Sequence, residues 1–171
     1  MRSRFIPLNI LTAVFVVIGA TTVHLLTTAV PASAATAYRL VVDSSQKCLD
    51  LPFGDRADHV VLQQYTCHGT DNQRWWVMPR TDGFYTIVSV ASNKCLDVPS
   101  SSTADGTVVQ QFTCNNGFNQ QWSINFSTRA FVARHSGKCL DIRGGGTEDG
   151  AVAQQFTCHG GPNQRWTMFS T

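Results

Sequence analysis

One block of residues recurs three times along this chain, and the recurrence limits its fold more than any other feature. Lys47-Cys48-Leu49-Asp50, Lys94-Cys95-Leu96-Asp97 and Lys138-Cys139-Leu140-Asp141 open the copies. Gln63-Gln64-Tyr65-Thr66-Cys67, Gln110-Gln111-Phe112-Thr113-Cys114 and Gln154-Gln155-Phe156-Thr157-Cys158 follow. Each copy closes on Asn-Gln-x-Trp, ending at Trp75, Trp122 and Trp166. In every copy 19 positions separate the two cysteines and 6 separate the second cysteine from the closing Gln. The copies recur after 47 and then 44 positions, the mark of one supersecondary unit used several times.

Such a unit cannot bury a core alone, but three around an axis can. Short β-rich runs are expected at Tyr38–Val42, Val60–Thr66, Phe84–Val90, Thr107–Thr113, Ala130–Arg134 and Val152–Thr157, separated by Gly, Asp, Asn, Ser and Pro clusters. With the Cys-Leu-Asp and Trp segments this makes about four strands per copy. The expected architecture is all-β, barrel-like and pseudo-threefold, with about twelve strands and closure removing the sheet edges. Leu49, Leu96, Leu140 and the three Trp are expected in the core, each indole N–H needing a partner. Gln63, Gln110 and Gln154 alternate with Gln64, Gln111 and Gln155, so one set faces inward and the other is free to meet a ligand. Gln73, Gln120 and Gln164 are expected to satisfy backbone groups where strands meet.

Six cysteines, two per copy, suggest one disulfide per copy: Cys48–Cys67, Cys95–Cys114 and Cys139–Cys158. A zinc site using His68 and His159 competes, but there is no Cys-x-x-Cys and Asn115 replaces the His in the middle copy. No metal or cofactor is expected.

Each copy also repeats a polar set: Asp50, Gln63, Tyr65, His68 and Asn72; Asp97, Gln110, Phe112, Asn115 and Asn119; Asp141, Gln154, Phe156, His159 and Asn163. The chemistry suits a sugar. A carboxylate accepts hydroxyl hydrogens strongly, Asn and Gln both donate and accept, and an aromatic face packs against the C–H face of a pyranose.

These elements, three times over, resemble ricin B-type β-trefoil lectin domains, also classed as family 13 carbohydrate-binding modules. The resemblance covers about residues 38–170. It implies a six-stranded barrel capped by three hairpins, with a shallow sugar site per repeat built by those polar residues. Many family members carry Asp-Gly before the Gln strand. Asp105-Gly106 and Asp149-Gly150 keep it and Asp58-His59 does not, which questions the loop of the first copy. Phe112 and Phe156 also lack the hydroxyl of a Tyr. Asp55, Asp58, Glu148 and Asp149 are expected to be solvated turn residues, not a calcium site.

Residues 1–34 look like a cleaved signal peptide, with Arg2 and Arg4, an apolar run from Ile10 to Ala20, and Pro31-Ala32-Ser33-Ala34 at the cleavage site. The alternative is a retained anchor, since Leu8 to Val30 is long enough to span a bilayer. A single domain over 35–171 remains, with repeats at about 36–80, 81–126 and 127–171. Without Arg2 and Arg4 the 13 basic residues fall to 11, balancing 11 acidic ones, so no basic field exists for nucleic acid or anionic lipid. The expectation is a secreted, monomeric, non-catalytic binder of glycans or polysaccharides containing galactose, xylose or arabinose. The alternative is a protein-binding trefoil, such as an inhibitor or a subunit of a secreted complex. A glycosidase would need two carboxylates across one bond, and only one Asp is repeated per copy. Asn125-Phe126-Ser127 is a glycosylation sequon.

Overall fold

Thirteen short strands build the protein, described here from a computed structural model over residues 36–171. The expected signal segment lies outside the described residues. Among the described residues there is no α-helix, only six single-turn 3-10 helices. The strands are β1 (Ala37–Val42), β2 (Cys48–Asp50), β3 (Val60–Val61), β4 (Gln63–Tyr65), β5 (Trp75–Pro79), β6 (Tyr85–Ser89) and β7 (Cys95–Asp97). β8 (Gln110–Phe112), β9 (Gln121–Asn125), β10 (Ala130–Ala133), β11 (Cys139–Ile142), β12 (Ala153–Phe156) and β13 (Trp166–Ser170) complete them.

The count is thirteen and not twelve because Leu62 breaks the first Gln run into β3 and β4. Val60–Val61 pairs with β8 as a two-residue ladder, where Val108 and Val152 make single bridges. The Leu62 N–H donates to the Val109 carbonyl, the Val109 N–H to Ala153, and the Ala153 N–H to Leu62, each at 2.9 Å. These residues hold equivalent places in the three copies, so the hydrogen bonds run in a closed ring about the pseudo-threefold axis.

β1, β5, β6, β9, β10 and β13 form the expected ring of six long strands. The hairpins β2–β4, β7–β8 and β11–β12 cap it, each pairing its Asp with the first Gln, as in Asp50 with Gln63. Closure of the sheet was expected, and the structure corrects this: it stays open between β10 and β13, where one backbone hydrogen bond crosses, from Trp166 N–H to the Arg129 carbonyl at 2.9 Å, beside a side-chain bond from Arg129 to the Thr167 hydroxyl at 3.1 Å. Arg129 stands where Tyr38 and Tyr85 stand in the other copies. Tyr38 and Tyr85 pair with Trp75 and Trp122 in extended backbone. Arg129 takes φ of 60°, a left-handed conformation that leaves the strand register.

The core repeats in threes. Leu40, Ile87 and Phe131 form one layer, Leu49, Leu96 and Leu140 another, and Leu51, Val98 and Ile142 a third, all fully buried. The three Trp lie among them, and their indole N–H groups donate to the carbonyls of Leu49, Leu96 and Leu140 at 3.0–3.2 Å. All six cysteines pair within their own copies as expected, so none is left as a free thiolate.

Gln64, Gln111 and Gln155 are the inward set and are fully buried. Each amide nitrogen reaches two carbonyls of the preceding copy: Gly146 and Glu148 for Gln64, Asp55 and Ala57 for Gln111, Ser102 and Ala104 for Gln155. Each amide oxygen accepts from a serine hydroxyl of its own copy at 2.7–2.8 Å. These residues fasten the copies cyclically.

Candidate functional site

Each hairpin cap presents one shallow depression, of about 740 Å3 in the first copy, 440 Å3 in the second and 560 Å3 in the third. The strand register decides what lies at the floor. The β2 Asp faces the β4 Gln across the hairpin, and the 3-10 turn before the Trp strand brings Asn and a second Gln to the same carboxylate.

The carboxylates are nearly inaccessible: Asp50 and Asp97 are 2% exposed and Asp141 1%. Asp50 Oδ1 accepts from Gln63 Nε2 at 2.9 Å; its Oδ2 accepts from Asn72 Nδ2 at 2.8 Å and Gln73 Nε2 at 3.0 Å. Asp97 is held the same way by Gln110, Asn119 and Gln120, and Asp141 by Gln154, Asn163 and Gln164. Three amide donors thus occupy each carboxylate before a ligand arrives. This corrects the expectation that the Gln63, Gln110 and Gln154 set is free: their amide nitrogens are committed to the carboxylates, Gln154 Oε1 accepts from Arg143 and Gln110 Oε1 lies 3.3 Å from His59 Nδ1, which leaves Gln63 Oε1 open among the described residues. Burial, the dominant influence, pushes the Asp141 carboxyl above its ordinary value, against the opposing hydrogen bonds from Gln154 and Gln164.

Gln73, Gln120 and Gln164 serve two roles. Their oxygens accept the backbone N–H of His68, Asn115 and His159 at 2.8 Å, and their nitrogens bind a backbone carbonyl as well as the Asp. The residue after the second cysteine is thereby fixed over the site. His68 Nε2 and His159 Nε2 stand 3.7 Å from Asp50 Oδ2 and Asp141 Oδ2. Asn115 Oδ1 accepts the Gly117 N–H at 2.8 Å, as His159 Nδ1 accepts that of Gly161 at 3.1 Å, so Asn and His are held alike from behind.

All fifteen residues of the polar set therefore gather as three groups of five. The rims add residues that the repeats did not single out. Phe53 and Gly54 edge the first depression, Ser100 and Ser101 the second, Arg143 to Gly145 the third. Phe53 is fully solvent-exposed, with φ of 56° where the third copy has Gly144. A bulky side chain in left-handed backbone with nothing to pack against is strain with no folding return. The sequence signal was present in Pro52-Phe53-Gly54, where the triplication breaks. Tyr65 and Phe156 are exposed; Phe112 is only half so.

The turns before the Gln strands add a role and require one further correction. Asp55, Asp58, Glu148 and Asp149 are solvent-accessible turn residues, and Asp58, Asp105 and Asp149 each also serve the following copy. Asp58 accepts the Thr113 N–H at 2.8 Å and pairs with Lys94 at 2.7 Å; Asp105 binds Thr157 and Lys138, Asp149 binds Thr66 and Lys47. The lysine beside each holds its carboxyl below the usual range. Further, Asp58-His59 does not disrupt the loop of the first copy. His59 keeps the left-handed bend of Gly106 and Gly150, with φ of 68° against 80° and 87°. Its side chain reaches the second depression.

The ricin-type beta-trefoil lectin domain family matches residues 36–168. Among solved structures the chain is similar to ThreeFoil, a designed 3-fold symmetric protein, at 39% identity and a TM-score of 0.77, over 79% of this chain and 99% of that one. It is also similar to an exo-beta-1,3-galactanase from Clostridium thermocellum, at 35% identity and a TM-score of 0.76, over 81% of this chain and 31% of that one. The ricin B-like lectin of Macrolepiota procera, solved in complex with lactose, is 25% identical with a TM-score of 0.65, over 80% of this chain and 96% of that one. No curated protein matches the chain. Its three hairpin caps, its closing Trp triad and the extent of the family match agree: the chain belongs to the ricin-type β-trefoil lectin domain family.

Proposed function

We propose that the protein is a secreted, non-catalytic carbohydrate binder with up to three shallow sugar sites, the first of them the best equipped. The observation that carries this is the floor of each depression. A buried carboxylate is locked by three amides beside an aromatic ring, with its geometry set before any ligand arrives. Remaining acceptor capacity on the carboxylate meets a sugar hydroxyl, and the ring meets a C–H face. Preorganisation of this kind lowers the cost of binding.

The first site keeps most of its groups available. Tyr65 and Phe53 are both exposed, and Gln63 Oε1 accepts no hydrogen bond among the described residues. In the third site Gln154 Oε1 already accepts from Arg143 Nε at 3.0 Å. Galactose-containing glycans lead, because one similar lectin was solved with lactose and another relative is a galactanase. Xylose- and arabinose-containing glycans come next. Single shallow sites bind at Kd ~1 mM, and polymers gain by engaging several.

Catalysis is disfavoured by what lines the depressions. The second and third each hold one carboxylate. The first adds Asp71, which Arg74 engages at 2.9 Å. Hydrolysis needs two cooperating carboxylates roughly 5–10 Å apart.

A glycan array probed with the purified protein tests the proposal, followed by the Tyr65→Ala/Phe156→Ala double variant. Retention of a galactose-, xylose- or arabinose-containing glycan, lost in the variant, is expected. No glycan retained, or full binding by the variant, contradicts it.

A further inference from the structure

The bend before each Gln strand belongs to one copy in sequence and to the next copy in space. Gly106 lies against the third site and Gly150 against the first: a β-carbon at either would sit 3.8 Å from Gln154 Oε1 or Gln63 Oε1. Glycine leaves that approach open in both places. At the equivalent position over the second site stands His59.

Its side chain fills the approach. His59 Nδ1 is 3.3 Å from Gln110 Oε1, the one atom of that amide not committed to Asp97. The imidazole lies on the Phe112 ring with centroids 4.8 Å apart and planes tilted by 52°. The second site thus has its aromatic face and its free amide oxygen both covered by one residue. It is the smallest of the three depressions, about 440 Å3 against 740 and 560 Å3. Phe112 is correspondingly less exposed than Tyr65 and Phe156. The backbone argues the same way. His59 holds a φ of 68° that glycine adopts freely and a β-carbon resists, so its presence is not explained by the bend.

We propose that His59, delivered from the first repeat, closes the second sugar site, so that two of the three sites accept a neutral pyranose. This rests on the proposed carbohydrate binding. Stacking on Phe112 and a hydroxyl bond to Gln110 Oε1 each require the imidazole to leave. The number of working sites is then set by one residue outside the polar set of the site it controls.

The side-chain amides of Asn72, Asn119 and Asn163 touch the three carboxylates and report on each site separately by NMR. The full protein is titrated with lactose, xylose and arabinose in turn. In the wild type, the Asn72 and Asn163 signals move with at least one sugar and Asn119 stays still. In His59→Gly, which relieves the backbone, Asn119 moves with the same sugar and saturates, where the wild-type signal does not respond. The converse variant Gly150→His places the same side chain over the first site and weakens the Asn72 response at least fivefold. An Asn119 response in the wild type matching that of Asn72 overturns the closure alone. So does a silent Asn119 in His59→Gly while Asn72 still responds. Silence of all three signals in every protein overturns the sugar-binding proposal itself, and the closure with it.

Discussion

At the axis, Leu62, Val109 and Ala153 hold equivalent places and pass hydrogen bonds around a ring. At the rim, the equivalent places hold Phe53, Ser100 and Gly144, which share a backbone conformation and nothing else. The axial residues each meet two other copies at once, so a change in one must suit all three. A rim residue answers only to solvent and ligand. The polar set lies between these regimes. Its carboxylates and amides are bound to one another as tightly as the core is packed, so they are architecture as well as site. What distinguishes the sites is the second layer: Phe53 beside the first, His59 over the second, Arg143 against the third.

The comparison can be broken first at the axis. Trp122→Ala removes a fully buried indole bonded to Leu96 and is expected to cost about 3–5 kcal/mol. Denaturant unfolding should show all three sites lost together, since the copies share one core. Replacing Cys95 and Cys114 by Ala opens a loop of about 20 residues and is expected to cost about 3 kcal/mol. Thermal melting with and without reductant checks this, the variant losing part of the wild type's response to reduction. Asp141→Ala leaves the Gln154 amide nitrogen without its acceptor and is expected to cost about 1–3 kcal/mol. It is therefore a poor test of sugar contact. Phe53→Ala sits at the other extreme: stability within about 0.5 kcal/mol of wild type, with first-site affinity reduced severalfold by NMR titration.

Acid separates the two layers by direction. Asp58, Asp105 and Asp149 have lowered values, so their contribution to stability is present above the ordinary carboxylate range and is lost only as pH falls through those lowered values. Asp141 has a raised value, so its protonated form is favoured, and the stability tied to it is present below the ordinary value and lost as pH rises through the raised one. On acidification Asp141 takes up its proton before Asp58, Asp105 and Asp149 do. The sugar affinity of the third site should fall at higher pH than the melting temperature does, measured by parallel titrations and thermal melts.

Much of the fold was legible because a threefold core repeats its constraints in sequence. The cysteine pairs, the Leu and Trp layers and the alternation of the two Gln sets follow from spacing alone. The β3–β4 break was hidden because Leu62 looks like any strand residue; its partners lie in the other two repeats. The open seam was hidden because Arg129 in place of Tyr reads as a neutral change until its backbone conformation is seen. The polar set was legible as a group, but not the saturation of its carboxylates, which depends on where the amide of Gln73 points. Least legible was the ownership of the turns. Sequence order assigns Asp58 and His59 to the first repeat, whereas packing gives Asp58 to Lys94 and His59 to Phe112. A repeat read one copy at a time cannot show a contact handed to the next.

The central claim is that a common inner scaffold carries three unequal sites. A crystal structure of the protein soaked with a saturating galactose-containing oligosaccharide tests it most directly. The account predicts sugar density against Tyr65, with Phe53 at its edge, and weaker density against Phe156. Phe112 should remain covered by His59. Equal density at all three rings, or density at Phe112 with His59 undisplaced, would contradict it.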